Sequence, residues 1–158
     1  MKKKRIRKLD KDSALSYACL LLSYRERSEG EVRERLVKRG YPGDVITHVI
    51  SELIELNYLD DNRFAKSWLM WRKESRPKSR SMIRWELLAK GVKDDVISRA
   101  LEAAYPEREE LDIARRLAGK RAALPGSDRR KIYDYLRRKG FNHDVISQAL
   151  KHFEEDTL

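Results

Sequence analysis

The chain of 158 residues is 39% charged and 41% hydrophobic, with a formal net charge of +10. That length holds one ordinary domain or a short array of smaller units, and the positive balance points to an anionic partner such as nucleic acid. Cys19 is the single cysteine, which excludes a disulfide framework and fits a reducing compartment, and the apolar runs are far too short to span a bilayer.

The opening segment MKKKRIRKLDK carries seven Lys or Arg against one Asp. Residues 1–12 read as a basic arm, disordered when free, with added non-specific DNA affinity and a solubility role both open as its use. The apolar stretch that follows is no secretory signal, because DKD and two serines interrupt it and no small-residue cleavage site appears. Within ACLLL, Cys19 is expected to be buried as a packing residue. Ser28 and Glu31 have the form of a capping box. They open a helix whose inner face is Val32 and Leu36, and Gly40 supplies its left-handed C-terminal turn. Asp44 then stands at the positive end of the next helix, whose stripe runs through Ile46, Val49 and Ile50.

After the linker NYLDDN the pattern begins again. Ala65 and Trp68 mark a helix, RPKS an exposed loop, Ile83 and Leu87 a second helix ending at Gly91, and Asp95 a third. The linker AYPEREE, with a boundary at Pro106, leads to Ala114 and Leu117 and to Ser127 as the N-cap of a helix carrying Ile132 and Leu136. Gly140 and Asp144 complete this third unit. The glycines Gly40, Gly91 and Gly140 are 51 and 49 residues apart, and Ala14, Ala65 and Ala114 each precede theirs by 26. A frame repeated at this length is the mark of a repeat architecture. The expected fold is all-α, with three tandem three-helix repeats of helix-turn-helix type (13–58, 59–105 and 106–153), an acidic tail (154–158), and an elongated, curved body of about 60–80 Å.

Few residues offer chemistry. Asp60 and Asp61 are paired carboxylates, yet they directly precede a helix, so capping is the expected role rather than Mg²⁺ binding. His48, His143 and His152 are scattered without metal-ligand spacing and are expected at the surface. Gly119-Lys120 lacks the glycine that a phosphate-cradling Walker loop needs. No catalytic, cofactor or metal site is expected. Cations are the stronger signal: Arg72, Lys73, Arg76, Lys78, Arg80 and Arg84 surround the second-unit loop, and Arg129, Arg130, Lys131, Arg137, Arg138 and Lys139 flank one helix of the third. An ordinary solvated helix face is the plainer alternative. Among the tryptophans, Trp68 is expected in the core, Trp71 at a less strict position, and Trp85 partly exposed as the best residue to stack on a base.

Three stretches together, LLSYRERSEGEVRERLVKRGY, VISELIELNYLDDNRFAKSW and IRWELLAKGV, resemble the RecX family of recombinase regulators. The likeness runs from about Ser13 to Phe153 and is carried by Arg25-x-x-Ser28-x-x-Glu31, by Tyr58-Leu59-Asp60-Asp61 with Phe64-Ala65, and by Glu86-Leu87-x-x-Lys90-Gly91. One departure is Ser79, where family members often carry glycine. The resemblance implies tandem three-helix repeats that lie along the RecA nucleoprotein filament, restrain its growth, and lower its ATP hydrolysis, strand exchange and coprotease activity. It implies no chemistry of the chain's own. A monomeric, cytoplasmic protein without membrane association is expected, touching single- or double-stranded DNA through its basic surface. The competing expectation is a non-specific DNA-binding repeat protein without RecA contact, and a helical scaffold for another acidic protein is a third. Base-specific reading is not expected, since DVITHVISELIEL, DVISRALEAA and DVISQALKHF hold few Arg, Asn or Gln near their starts.

Overall fold

The computed structural model describes residues 9–155. Residues 1–8 of the basic arm, the side chains of residues 152–155, His152 among them, and the last three residues, and with them the expected acidic tail, lie outside the described residues. Among the described residues there are nine α-helices and no strand: α1 Lys11–Tyr24, α2 Glu29–Lys38, α3 Gly43–Glu55, α4 Asp61–Glu74, α5 Arg80–Ala89, α6 Asp94–Ala104, α7 Glu107–Ala122, α8 Arg129–Arg138 and α9 His143–Glu155. The all-α, three-helix repeat expected from the sequence is what forms. No helix among the described residues is long and apolar enough to cross a membrane.

Two compact units divide the chain. One holds residues through Phe64 together with Lys90–Val92, and the other holds Ala65–Ala89 and the chain from Lys93. In the first, α1, α2 and α3 pack on one another around Ala14, Ala18, Val32, Leu36, Ile46, Val49 and Leu53. Ala14 and Ala18 stand one turn apart, and such small side chains let α1 approach its neighbours closely. That phase corrects the expectation for Cys19, which is exposed. It lies about 140° round the helix from Ala14, on the same outer side as Leu20, which is 51% exposed.

In the second unit, α5 packs on α6, and α7, α8 and α9 pack on one another. Ala65 and Ala114 are fully buried, as Ala14 is in the first unit, and so are Leu87 and Leu136. Each glycine turn has its expected left-handed backbone, with φ of 91° at Gly40, 77° at Gly91 and 91° at Gly140. At the first, Tyr41 N–H donates to Leu36 C=O at 3.2 Å and Gly40 N–H to Val37 C=O at 2.9 Å, and the same pair of bonds recurs after α8. This is a Schellman ending, which pairs carbonyls that the helix leaves open. The residue after each glycine, Tyr41, Val92 or Phe141, is buried and seals the turn.

The N-termini agree with the sequence in part. Ser28 and Glu31 form the capping box. For α8 the cap is Asp128, whose carboxylate accepts Lys131 N–H at 2.8 Å, so the expectation for Ser127 is corrected by one residue. Ser127 closes the preceding turn instead, its N–H donating to Leu124 C=O.

Candidate nucleic-acid interface

Ser28, Ser79 and Asp128 each stand twelve residues before their glycine, and each caps the middle helix of its repeat. The two serines also do something further. Ser28 Oγ accepts Glu31 N–H at 3.1 Å and donates to the carbonyl of Lys90. Ser79 Oγ accepts Met82 N–H at 3.1 Å, while Ser79 N–H donates to the carbonyl of Lys139 at 3.1 Å. A capped helix start therefore meets the residue preceding a glycine turn twice, once in each unit. The arrangement sets a donor at a helix start, a hydroxyl in the first case and an N–H in the second, against a carbonyl at a helix end, which is favourable for both. Ser79 is only 1% exposed, so the expected exposed loop ends in a buried cap. Serine serves there without strain because its hydroxyl is the capping group.

The two junctions differ in charge. At the first, Glu31 receives Arg25 at 2.8 Å and Lys90 at 3.2 Å. Burial pushes its carboxyl up, but the hydrogen bonds from Arg25, Ser28 N–H and Lys90 hold it below the usual glutamate range. At the second, the repeat places Met82 where Glu31 stood. Lys139 has no ion pair there among the described residues, and its ammonium lies over the Tyr135 ring, 5.5 Å from the centroid. Burial, and then the nearby charges of Lys78, Arg72 and Arg76, hold its pKa below that of an ordinary lysine.

The structure thus brings together part of the second-unit and third-unit cation sets. Glu86 organises this group. Arg72 donates to its two oxygens at 2.8 and 2.7 Å, Trp68 Nε1 donates at 2.9 Å, and Lys78 Nζ lies 3.1 Å away. Burial raises the Glu86 carboxyl, and these partners, Trp68 first, bring it below the usual range. Arg76 is exposed and has no ion pair among the described residues.

The remaining candidates are placed differently. Lys73 donates to Ala104 C=O at 2.6 Å and pairs with Glu109 at 2.5 Å. Arg80 pairs with Glu102, lies 3.6 Å from Glu107, and donates its N–H to Glu110 at 2.8 Å. Arg84 pairs with Asp94 and donates to Ser98 Oγ at 3.0 Å. These three face acids of the same compact unit. Lys131 reaches Gly126 C=O at 2.5 Å. Arg129, Arg130, Arg137 and Arg138 are exposed on α8.

Trp68 is half-buried rather than a core residue, because its indole N–H turns to Glu86. Trp71 is 39% exposed and sits beneath the Arg72 guanidinium, 4.4 Å from the ring centroid. Trp85 is 66% exposed. With Ser81, Met82 and Gly140 it lines an open, mainly apolar hollow of about 440 Å³.

Asp60 and Asp61 are caps, but of two different helices. Asp60 accepts Asn62 N–H at 2.9 Å and Arg63 N–H at 3.2 Å at the start of α4, whereas Asp61 accepts Glu29 N–H at 2.9 Å at the start of α2. His48 and His143 are exposed, and His143 engages the Tyr133 hydroxyl at 3.1 Å. No cluster of His, Cys, Asp and Glu able to hold a metal occurs among the described residues.

These features define a tandem three-helix repeat protein. Models of the RecX first, second and third three-helix domains match residues 14–53, 60–101 and 108–150. The regulatory protein RecX of Mycolicibacterium smegmatis is 35% identical over 87% of this chain and 80% of its own length. That of Bacillus velezensis is 36% identical over 92% of this chain, which spans only 57% of the longer relative. A crystal structure of RecX from Lactobacillus salivarius superposes with a TM-score of 0.81 at 27% identity, covering 92% of this chain and 97% of that one. The chain belongs to the RecX family of regulatory proteins.

Proposed function

We propose that this chain binds the RecA–DNA nucleoprotein filament and restrains its growth, thereby lowering RecA's ATP hydrolysis, strand exchange and coprotease activity. The observation that carries this reading is the unbroken series of three RecX domains along residues 14–150. The cations around Lys139 and Arg76 and along α8 support contact with the phosphates of the bound DNA or with acidic RecA surface. The proposed action is regulatory and non-catalytic, exerted by a monomer in the cytoplasm. Repeats 13–58, 59–105 and 106–153 would each offer one contact surface.

The test is RecA ATP hydrolysis on single-stranded DNA as this protein is titrated in, with RecA-free DNA binding as control. Inhibition well below one molecule per RecA supports a regulator acting on growing ends or on many subunits at once. No inhibition at saturation, with DNA binding intact, leaves the second reading, a non-specific DNA-binding repeat protein. The exposed arginines of α8 favour that alternative.

A further inference from the structure

The junction of Ser79 with the Lys139–Gly140 turn combines three features that the first junction lacks. Two of its cations lack an acid: Glu86 serves Arg72 and Lys78, while Arg76 and Lys139 have no ion pair among the described residues. Like charges held close disfavour one another, and an added anion relieves the repulsion. An indole also stands in the open, since Trp85 is 66% exposed although it lies on a helix with a well-packed inner face, Ile83 and Leu87. The hollow beside that indole is lined by Met82 and by Gly140, the residue next to Lys139. Gly140 also keeps the approach close, since a Cβ there would lie 2.6 Å from Ser79 Oγ and 2.9 Å from Met82 Cβ.

We infer that this junction is a binding site for single-stranded nucleic acid, with one base stacked on Trp85 in the hollow that Met82 helps to line and the adjoining phosphates against Lys139, Arg76 and Lys78. An aromatic face beside a basic groove is the arrangement by which proteins hold unpaired strands without reading sequence. A duplex offers the phosphates but keeps its bases stacked inside, so the site favours the single strand. An acidic protein would satisfy the cations and leave the indole and its hollow without a partner. This inference deepens the proposed function by naming the ligand of its basic surface, and rests on it only in taking nucleic acid as the partner.

The experiment is fluorescence anisotropy with the full chain and labelled oligo-dT, oligo-rU, an abasic strand of equal length and a duplex, without RecA. Expected is tighter binding of oligo-dT than of the duplex, and a loss of about five- to a hundredfold for Trp85→Ala on oligo-dT. Trp85→Phe should recover most of the loss, and Trp85→Ala should leave abasic-strand binding unchanged. Arg76→Gln and Lys139→Gln should each lower the salt slope by roughly 0.7. Comparable binding of oligo-rU supports the shared single-strand chemistry, and weaker binding assigns the site to DNA. Trp85→Ala binding oligo-dT as the wild type does overturns the inference, as does an equal loss on the abasic strand. Loss of RecA inhibition by Arg76→Gln and Lys139→Gln with oligo-dT binding intact also overturns it, making the surface a protein contact. Failure of the wild type to inhibit RecA would sink the proposed function while leaving these binding results to stand.

Discussion

Gly30 and Gly91 meet backbone to backbone: a Cβ on Gly30 would fall 2.7 Å from the α-carbon of Gly91 and 2.6 Å from the carbonyl oxygen of Lys90. Neither neighbour is the flexible end of a side chain, so the junction must shift to admit a methyl group. Gly40 occupies the same turn in the first repeat, yet a Cβ there would meet nothing within 4 Å. Gly40→Ala should therefore cost only the left-handed backbone penalty, about 1–2 kcal/mol. Gly91→Ala should cost that and about 1–3 kcal/mol more through the clash. Denaturant midpoints of the two variants decide it, and equal losses would mean that the close approach is unimportant.

The first junction should be labile to acid. Glu31 is held below its ordinary value of 4.5 despite burial, through its bonds from Arg25, Ser28 N–H and Lys90. A depressed carboxyl stabilises the fold above its unfolded pKa, and that contribution is lost as pH falls through the lower folded one. Glu31→Gln should thus be less stable than the wild type by about 1–2 kcal/mol near neutrality. The gap should close below about pH 4. Unfolding midpoints across pH measure it; a gap that persists in acid would assign the loss to packing.

Glu86 sets stability against ligand affinity. Removing its charge leaves Arg72 and Lys78 beside Arg76 and Lys139 with no acid among them. Glu86→Gln should destabilise by about 2–3 kcal/mol, with part of the loss regained in high salt. The same change should tighten binding to DNA and steepen its salt dependence. A destabilised variant with unaltered DNA affinity would place the bound strand elsewhere.

The adjacent aspartates should separate on mutation. Asp60→Ala removes a cap from α4 at a cost of about 1 kcal/mol. Asp61, 9% exposed, caps α2 from 32 residues away, so Asp61→Ala leaves a helix start open inside the first unit and should cost about 1–3 kcal/mol. Mg²⁺ should change neither result, and a cation-dependent midpoint would revive the carboxylates as a metal site.

The repeat was legible because its signals are local. An alanine where helices approach closely, apolar residues four apart and a left-handed glycine each follow from a few neighbouring positions. Cys19 was misplaced because ACLLL is apolar on every side of a helix, and only the phase of Ala14 and Ala18 tells inside from outside. The junctions were invisible: Ser28 finds Lys90 across 62 residues, a pairing that leaves no periodic trace. Ion pairing is hidden in the sequence for the same reason. Arg80 reads as a free charge until folding sets Glu102 beside it, 22 positions on. Tyr41, Val92 and Phe141 were within reach, since a buried residue after the glycine is part of the Schellman pattern.

The loop between α4 and α5 is fastened at its C-terminal end, and the end of α4 before it is held as well. Tyr105, fully buried, donates its hydroxyl to Lys78 C=O at 3.0 Å, Ser79 N–H holds Lys139 C=O, and Lys73 holds Ala104 C=O. A segment that freezes only on meeting its ligand loses about 1–2 kcal/mol per residue of backbone freedom at that moment. Here the freedom was surrendered when the chain folded. In the proposed single-strand site the ordering cost therefore falls on folding and not on binding, so a strand would be gripped and released with no refolding between one hold and the next.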